Sequence, residues 1–237
     1  MIPKIIHYCW FGRGPMPEEA LRCIDSWHKA MPDWKYVLWN EDNFDVSSYA
    51  YAQEAYDARK YAFVSDVVRL YALKECGGIY LDVDFEVYKP FDELLANAAF
   101  AGFEGSKHNP VMMGVLGSVA NGEWISMQLS RYVNRHFLSG GIPDLTTNVK
   151  FVSDDMAERG FLPNGQEQVF MDLHIYPVEY FCPRLTTGEY RRTTDTFCEQ
   201  ISNSSSWAES TLKDRLFRLL PLRMRIVLIK IKRAIFG

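Results

Sequence analysis

The stretch that most constrains this chain runs from Glu54 to Asp84. Glu54 to Glu75 predicts one long helix, and Gly77-Gly78 closes it with the residue type that tolerates the left-handed backbone of a helix C-terminus. Ile79-Tyr80-Leu81 then predicts a buried strand, which ends in Asp82-Val83-Asp84. A helix turning directly into a short apolar strand belongs to an open α/β sheet, where ligands gather at the carboxyl ends of the strands. Two carboxylates one residue apart at such an end repel one another, and a divalent cation removes that cost. Oxygen ligands of this kind suit hard ions such as Mg2+ and Mn2+, which keep positions open for substrate phosphates. By itself D-x-D is a common surface pattern. Asp66 and Arg69 strengthen it, because residues three apart share a helix face and theirs leads into the acidic strand end. An arginine can grip a diphosphate through two parallel hydrogen bonds, and a neighbouring carboxylate can hold ribose or sugar hydroxyls. The competing reading of this pair is an ordinary surface salt bridge.

The rest of the chain fits the same architecture. Lys4 to Phe11 predicts a buried strand stopped by Gly12, Gly14 and Pro15. Pro17 to Lys29 predicts a helix, opened by Pro17 and Glu18-Glu19, and Lys35 to Trp39 a second strand. Further strands are expected at Phe85 to Tyr88, Ala99 to Phe103, Val111 to Val115 and His174 to Val178, with a helix near Trp124 to Phe137. Ser139 to Pro143 and Ser202 to Ser206 read as flexible loops. With 237 residues, 48% of them apolar, the chain can bury one large core, expected over residues 1–210. Cys9, Cys23, Cys76, Cys182 and Cys198 include no CxxC pair and read as reduced, mostly packed thiols. The five histidines form no HExxH or His-x-His arrangement.

Charge separates the last segment from the body. After residue 210, eight cations face one anion, so the tail carries +7 and the body −11 of a net −4. Leu212, Leu216, Leu219 and Leu220 recur at helical spacing opposite Lys213, Arg215 and Arg218, which predicts a basic amphipathic helix. Residues 211–237 therefore read as an interfacial anchor on an anionic membrane surface, with docking on the body or on a twin subunit as the alternative. An acidic body argues against nucleic acid as partner. The first residues lack a long apolar signal core, and no run of about 18 apolar residues spans a bilayer. A cytoplasmic protein, peripheral on the inner face of the cell membrane, is expected.

Three ordered blocks then carry a resemblance. They are Ile2-Pro3-Lys4-Ile5-Ile6-His7 leading to Trp10-Phe11-Gly12, Lys60-Tyr61-Ala62-Phe63-Val64-Ser65-Asp66 to Arg69-Leu70-Tyr71, and Gly77-Gly78-Ile79-Tyr80-Leu81-Asp82-Val83-Asp84. Together they are similar to the DXD-containing sugar-binding glycosyltransferases. That group takes in bacterial capsular polysaccharide enzymes and relatives of the yeast initiating α-1,6-mannosyltransferase; more distantly the chain resembles the glucosyltransferase domains of large clostridial toxins. Weaker echoes at Phe103-Glu104, Tyr176-Pro177 and Ser206-Trp207 extend the match to about residue 207. The resemblance implies a GT-A-like open twisted sheet flanked by helices, a nucleotide-sugar donor, Mn2+ or Mg2+, and retention at the anomeric carbon. It implies that Trp10, with Tyr8 beside it, stacks on the donor base and that Asp66 holds ribose and sugar hydroxyls. Arg69 would contact sugar and phosphate, Asp82 the sugar and the metal, Asp84 the metal directly, and Trp207 the β-phosphate. Core packing is the plain alternative for Trp10.

One departure concerns the metal. Relatives commonly carry a histidine pair shortly before the Ser-Trp element, whereas this chain has Cys198-Glu199-Gln200-Ile201-Ser202-Asn203-Ser204-Ser205-Ser206-Trp207. Asn203, Ser205 or Glu199 would have to supply an oxygen instead, with Ser205 taken as the third ligand. The expected activity is transfer of a hexose from a nucleotide diphosphate sugar, UDP-hexose favoured and GDP-mannose next. The expected acceptor is a lipid-linked oligosaccharide of capsular or lipopolysaccharide assembly, approaching over loops within residues 105–170. Same-face attack is favoured over a covalent carboxylate, for which Glu167 and Asp172 are the candidates. A donor-binding scaffold with little or no turnover and a toxin-like transferase acting on proteins are the alternatives. A haloacid dehalogenase-type phosphatase also begins with D-x-D, but Glu86 stands where that motif has Thr or Val.

Overall fold

A computed structural model describes residues 1–105, 109–185 and 188–201. Its strands are β1 (Ile5–Cys9), β2 (Lys35–Trp39), β3 (Gly78–Leu81), β4 (Phe85–Val87), β5 (Ala99–Gly102), β6 (Val115–Ser118), β7 (Leu138–Ser139), β8 (Ile142–Pro143), β9 (Gln168–Phe170), β10 (Leu173–Tyr176) and β11 (Cys198–Gln200). The helices are α1 (Glu18–Ala30), α2 (Ala50–Asp57), α3 (Tyr61–Cys76), α4 (Glu123–Ser130) and α5 (Asn148–Glu158). The basic tail, with Ser205 and Trp207, lies outside the described residues.

Seven strands form the central sheet in the order β2-β1-β3-β6-β5-β10-β9. β1 runs parallel to β2 and β3, while β6 is antiparallel to both β3 and β5, and β10 runs parallel to β5. The carboxyl ends of β1, β2, β3, β5 and β10 therefore lie along one edge. Strand alternation divides the core between the two faces. Ile6, Ile79, Leu81, Phe100 and Val115 pack with Cys23 and Trp27 of α1 and with Phe181 and Phe197. Tyr80, Ala99, Ala101, Leu173 and Ile175 pack instead with Val67, Leu70 and Leu73 of α3 and with Trp124 and Ile125 of α4. This is the expected α/β arrangement of an open sheet with helices on both faces.

Several local expectations are corrected. The single helix over Glu54 to Glu75 is two helices, because Arg59 takes a left-handed conformation (φ 55°) between α2 and α3. Val111 to Val115 is not the strand: Val111 makes one bridge to Phe103, and β6 begins at Val115. The helix near Trp124 stops at Ser130. Within Ser139 to Pro143, Gly140-Gly141 alone is the turn and the flanking residues belong to the small β7–β8 hairpin, and α5, β9 and β11 were not anticipated. Cys9, Cys23, Cys182 and Cys198 are buried free thiols, with Cys76 exposed.

The passage from α3 to β3 has a stereochemical cause. Gly77 and Gly78 both have positive φ, at 63° and 114°. A Cβ on Gly78 would lie 2.7 Å from the Ile5 carbonyl oxygen and 3.0 Å from His7 Nε2. His7 is buried and completes this junction. The Trp39 indole N–H can only donate, and it reaches His7 Nδ1 at 3.0 Å. The Nε2–H is left to donate to the Gly77 carbonyl at 2.8 Å. One imidazole thus ties β1 and β2 to the end of α3, and burial holds its pKa below the ordinary histidine value.

Candidate active site

The site forms where β3 leaves the sheet. Asp82 N–H donates to the Gly114 carbonyl at 2.8 Å, and the chain turns at once, Phe85 N–H returning to the Asp82 carbonyl at 3.2 Å. That turn sends the two carboxylates to different partners. Tyr80 and Asp82 share the α3 side of the strand, and the Tyr80 hydroxyl donates to Asp82 Oδ1 at 2.7 Å. From α3, Arg69 Nη2 lies 3.0 Å from Asp66 Oδ1 and 3.5 Å from Asp82 Oδ1. Its other groups are fixed too: Nη1 donates to the Met113 carbonyl at 2.6 Å and Nε to the Ser65 carbonyl at 3.2 Å. The guanidinium lies 4.7 Å from the centre of the Tyr80 ring. The i,i+3 pair is therefore not a surface salt bridge, for Asp66 is 8% and Arg69 6% exposed.

Burial sets the electrostatics. Taken out of water, the Asp66 carboxyl is pushed up to about 6, and Arg69 only partly offsets the shift. Burial would lower Arg69, but Asp82, Tyr80 and Asp66 outweigh it and keep the guanidinium firmly charged. Asp84 is also buried, and desolvation followed by the Asp82 charge raises it to about 7. Gln200 Nε2 donates to Asp84 Oδ2 at 2.8 Å. Asp84 Oδ1 is buried with no hydrogen-bond partner among the described residues.

That orphaned oxygen is the test of whether a metal fits. A buried carboxylate oxygen without a donor, next to the half-exposed Asp82, suits a hard cation that completes its shell with substrate phosphates. Among the described residues there is no group of three or more His, Cys, Asp or Glu side chains able to hold an ion alone. The residues present fit Mg2+ or Mn2+ carried with a diphosphate.

The other expected residues sort by position. Trp10 stands just past the end of β1, half-buried, its indole N–H donating to the Gly14 carbonyl at 2.7 Å. The loop it opens is held by Glu41, whose carboxylate accepts from the Gly12 N–H at 2.6 Å and from the Tyr56 hydroxyl at 2.9 Å. Tyr8 is half-buried and packs edge-on to Trp27 at 5.5 Å. Tyr8 lies on β1, the strand that pairs with β3, and Trp10 directly follows it. Glu199 is not a metal ligand. Neighbours on a strand face opposite ways, so while Gln200 meets Asp84, Glu199 accepts from Arg184 at 2.9 Å and from the Tyr190 hydroxyl. Glu167 and Asp172 are likewise engaged. Glu167 pairs with His174 at 2.7 Å, and Asp172 caps α4 by accepting from the Glu123 and Trp124 N–H groups at 2.7 and 2.8 Å. Neither is poised as a nucleophile.

Sequence reasoning missed Tyr80, Met113, Gly114 and Gln200. Tyr80 was legible, two residues before Asp82 on the same strand face. The other three reach the site only through tertiary pairing.

Residues 17–101 match the family model described as a glycosyltransferase sugar-binding region containing a DXD motif. The inositol phosphoceramide mannosyltransferase 3 of Schizosaccharomyces pombe is 32% identical over 217 residues, covering 88% of this chain and 56% of that protein. An uncharacterized glycosyltransferase, L373, of Acanthamoeba polyphaga mimivirus is 34% identical, covering 88% of this chain and 84% of that protein. A solved glycosyltransferase involved in glycosylation of the major capsid of PBCV-1 aligns over 86% of this chain and 96% of its own, with 11% identity and a TM-score of 0.48. The chain spans about half the length, or less, of the yeast relatives it matches. With its DXD motif at the end of β3 and the Asp66–Arg69 pair buried beside it, the chain belongs to the family of DXD-containing sugar-binding glycosyltransferases.

Proposed function

We propose that the protein transfers a hexose from a nucleotide diphosphate sugar to a hydroxyl on a lipid-borne acceptor, with retention of anomeric configuration and with Mn2+ or Mg2+. The observation that carries this reading is the division of labour at the end of β3. Asp66 and Asp82 both pair with the buried Arg69 guanidinium, a group suited to sugar hydroxyls and phosphate, while Asp84 leaves a buried oxygen free. Arg69 is the cation that can meet the diphosphate, and its planar fork is already aligned by Asp66 and the Met113 carbonyl. When bound, a divalent ion on Asp84 and Asp82 would neutralise charge on the departing diphosphate. With Glu167 and Asp172 committed elsewhere, substitution on one face is favoured. The bond from the anomeric carbon to the diphosphate breaks, the bond to the acceptor oxygen forms, and the acceptor proton leaves with the phosphate.

The names of the yeast relatives favour mannose as the sugar and an inositol phosphate-headed lipid as the acceptor class. A lipid-linked oligosaccharide of capsular or lipopolysaccharide assembly is the second acceptor to test. The basic segment 211–237 supports a lipid acceptor in either case, because it would hold the protein on an anionic inner membrane face. The test is calorimetric titration with UDP- and GDP-sugars, with and without Mn2+, followed by transfer assays on inositol phospholipid and polyprenyl-linked acceptors. Metal-dependent binding that Asp84→Ala abolishes, with transfer to a lipid, is the expected result. Donor binding without turnover on either acceptor would replace transferase by scaffold, and transfer to protein alone would favour the toxin-like reading.

A further inference from the structure

β11 completes the Asp84 environment from 116 residues away. It pairs antiparallel with β4, Gln200 opposite Phe85 and Glu199 opposite Glu86. The Ile201 N–H donates to the Asp84 carbonyl at 2.9 Å, so the backbone on both sides of Gln200 is registered on the acidic turn. On the opposite face, Arg184 and the Tyr190 hydroxyl donate to the Glu199 carboxylate and hold it below the usual range despite burial, which anchors the strand. With the backbone so fixed, the Gln200 amide reaches Asp84 Oδ2 at 2.8 Å.

We propose that Gln200 is the positioning residue for the metal-binding carboxylate, its amide occupying Asp84 Oδ2 so that Oδ1 alone is presented to the cation. The inference rests on the reading of Asp84 as a metal ligand. A neutral amide suits the task. An arginine or lysine there would fix the carboxylate equally well but would oppose a divalent ion with its own charge, whereas an amide orients the oxygen and leaves the negative charge to the metal. Charge is thus divided across the site. The guanidinium of Arg69 gathers Asp66 and Asp82, and no salt-bridge partner is found on Asp84 among the described residues. Such outer contacts govern how tightly a ligand holds its metal, typically by 10- to 100-fold.

The experiment compares wild type with Gln200→Met, which keeps the length and loses the donor, and Gln200→Asn, which keeps the amide and loses the reach. Mn2+ binding is followed by calorimetry and by the electron paramagnetic resonance signal of free Mn2+, alone and with UDP or GDP. Thermal unfolding is measured in metal-free buffer. Both variants are expected to bind Mn2+ about tenfold more weakly, with metal-free melting close to wild type. If wild type binds Mn2+ and both variants match it, Gln200 has no positioning role, although Asp84 stands as ligand. Wild type that binds no Mn2+ under any of these conditions would remove the metal reading and this inference with it. Weaker binding matched by lost metal-free stability would assign Gln200 to the fold and overturn the proposal.

Discussion

At the residue scale, the site is held in a state that costs stability. Asp66 and Asp84 titrate higher in the folded protein than in the unfolded chain, to about 6 and about 7 against 3.8. The folded state therefore binds these protons more tightly, and stability falls as pH rises from the unfolded value through the folded ones. In metal-free buffer Asp84→Asn should consequently be more stable than wild type at pH 8, by on the order of 2 kcal/mol, and the gain should vanish toward pH 4. Urea unfolding at both pH values checks this, and the same variant should lose Mn2+-dependent donor binding. Arg69 behaves oppositely, since removing it takes the ion-pair partner from the buried Asp66 carboxylate. Arg69→Met should cost about 3–5 kcal/mol, and Arg69→Lys should keep part of the stability yet lose most activity, because lysine lacks the fork that meets Asp66, Asp82 and Met113 together. An Arg69→Lys enzyme with near-normal kcat/KM would remove Arg69 from diphosphate recognition.

At the scale of elements, two junctions aim the carboxylates. Gly114 lies under the acidic turn, where a Cβ would stand 2.7 Å from the Phe85 ring and 2.9 Å from Asp82 Oδ2. Gly114→Ala must displace the Asp82 carboxylate or the ring. Donor affinity should fall at least tenfold, with about 1–3 kcal/mol of destabilisation, as titration and denaturation of one preparation would show. The second junction is the His7 link between β1, β2 and the end of α3. Its folded pKa is depressed, so the unfolded chain takes up the proton first as pH falls below 6.5. The stabilisation is full above 6.5 and is lost as pH drops toward the folded value. His7→Gln should cost about 1–3 kcal/mol at pH 7.5, and its gap from wild type should narrow by pH 5.5. A gap that stays constant would mean that His7 does not titrate differently on folding.

At the scale of the whole molecule, residues 1–210 carry −11 and residues 211–237 carry +7, and the proposed anchor rests on that division. Deleting residues 211–237 should leave donor binding intact and release the protein from anionic vesicles. Co-sedimentation unchanged by the deletion would rule the anchor out. Much of the body was legible from local pattern. The β1–α1–β2 opening, the strand β3 and the D-x-D at its end follow from hydrophobic periodicity, and the Gly-Gly that ends α3 follows from stereochemistry. Both kinds of signal reside in neighbouring residues. The break at Arg59 was not legible, because the flanking residues keep a helical pattern on either side of it. Nor was the true start of β6, since Val111 to Val115 and Val115 to Ser118 are both apolar enough, and only pairing with β3 and β5 selects the second. The sequence by itself singled out the candidate residues: Asp66, Arg69, Asp82 and Asp84 stand out by their spacing taken together with the resemblance of the blocks that hold them. Only the tertiary structure decided how they are charged and aimed. Burial lifts Asp66 and Asp84, and the turn after β3 parts Asp82 from Asp84. The alternation of β11 then sends Gln200 to the site and Glu199 away from it. These are consequences of contacts between residues far apart in the chain, and local pattern does not encode them.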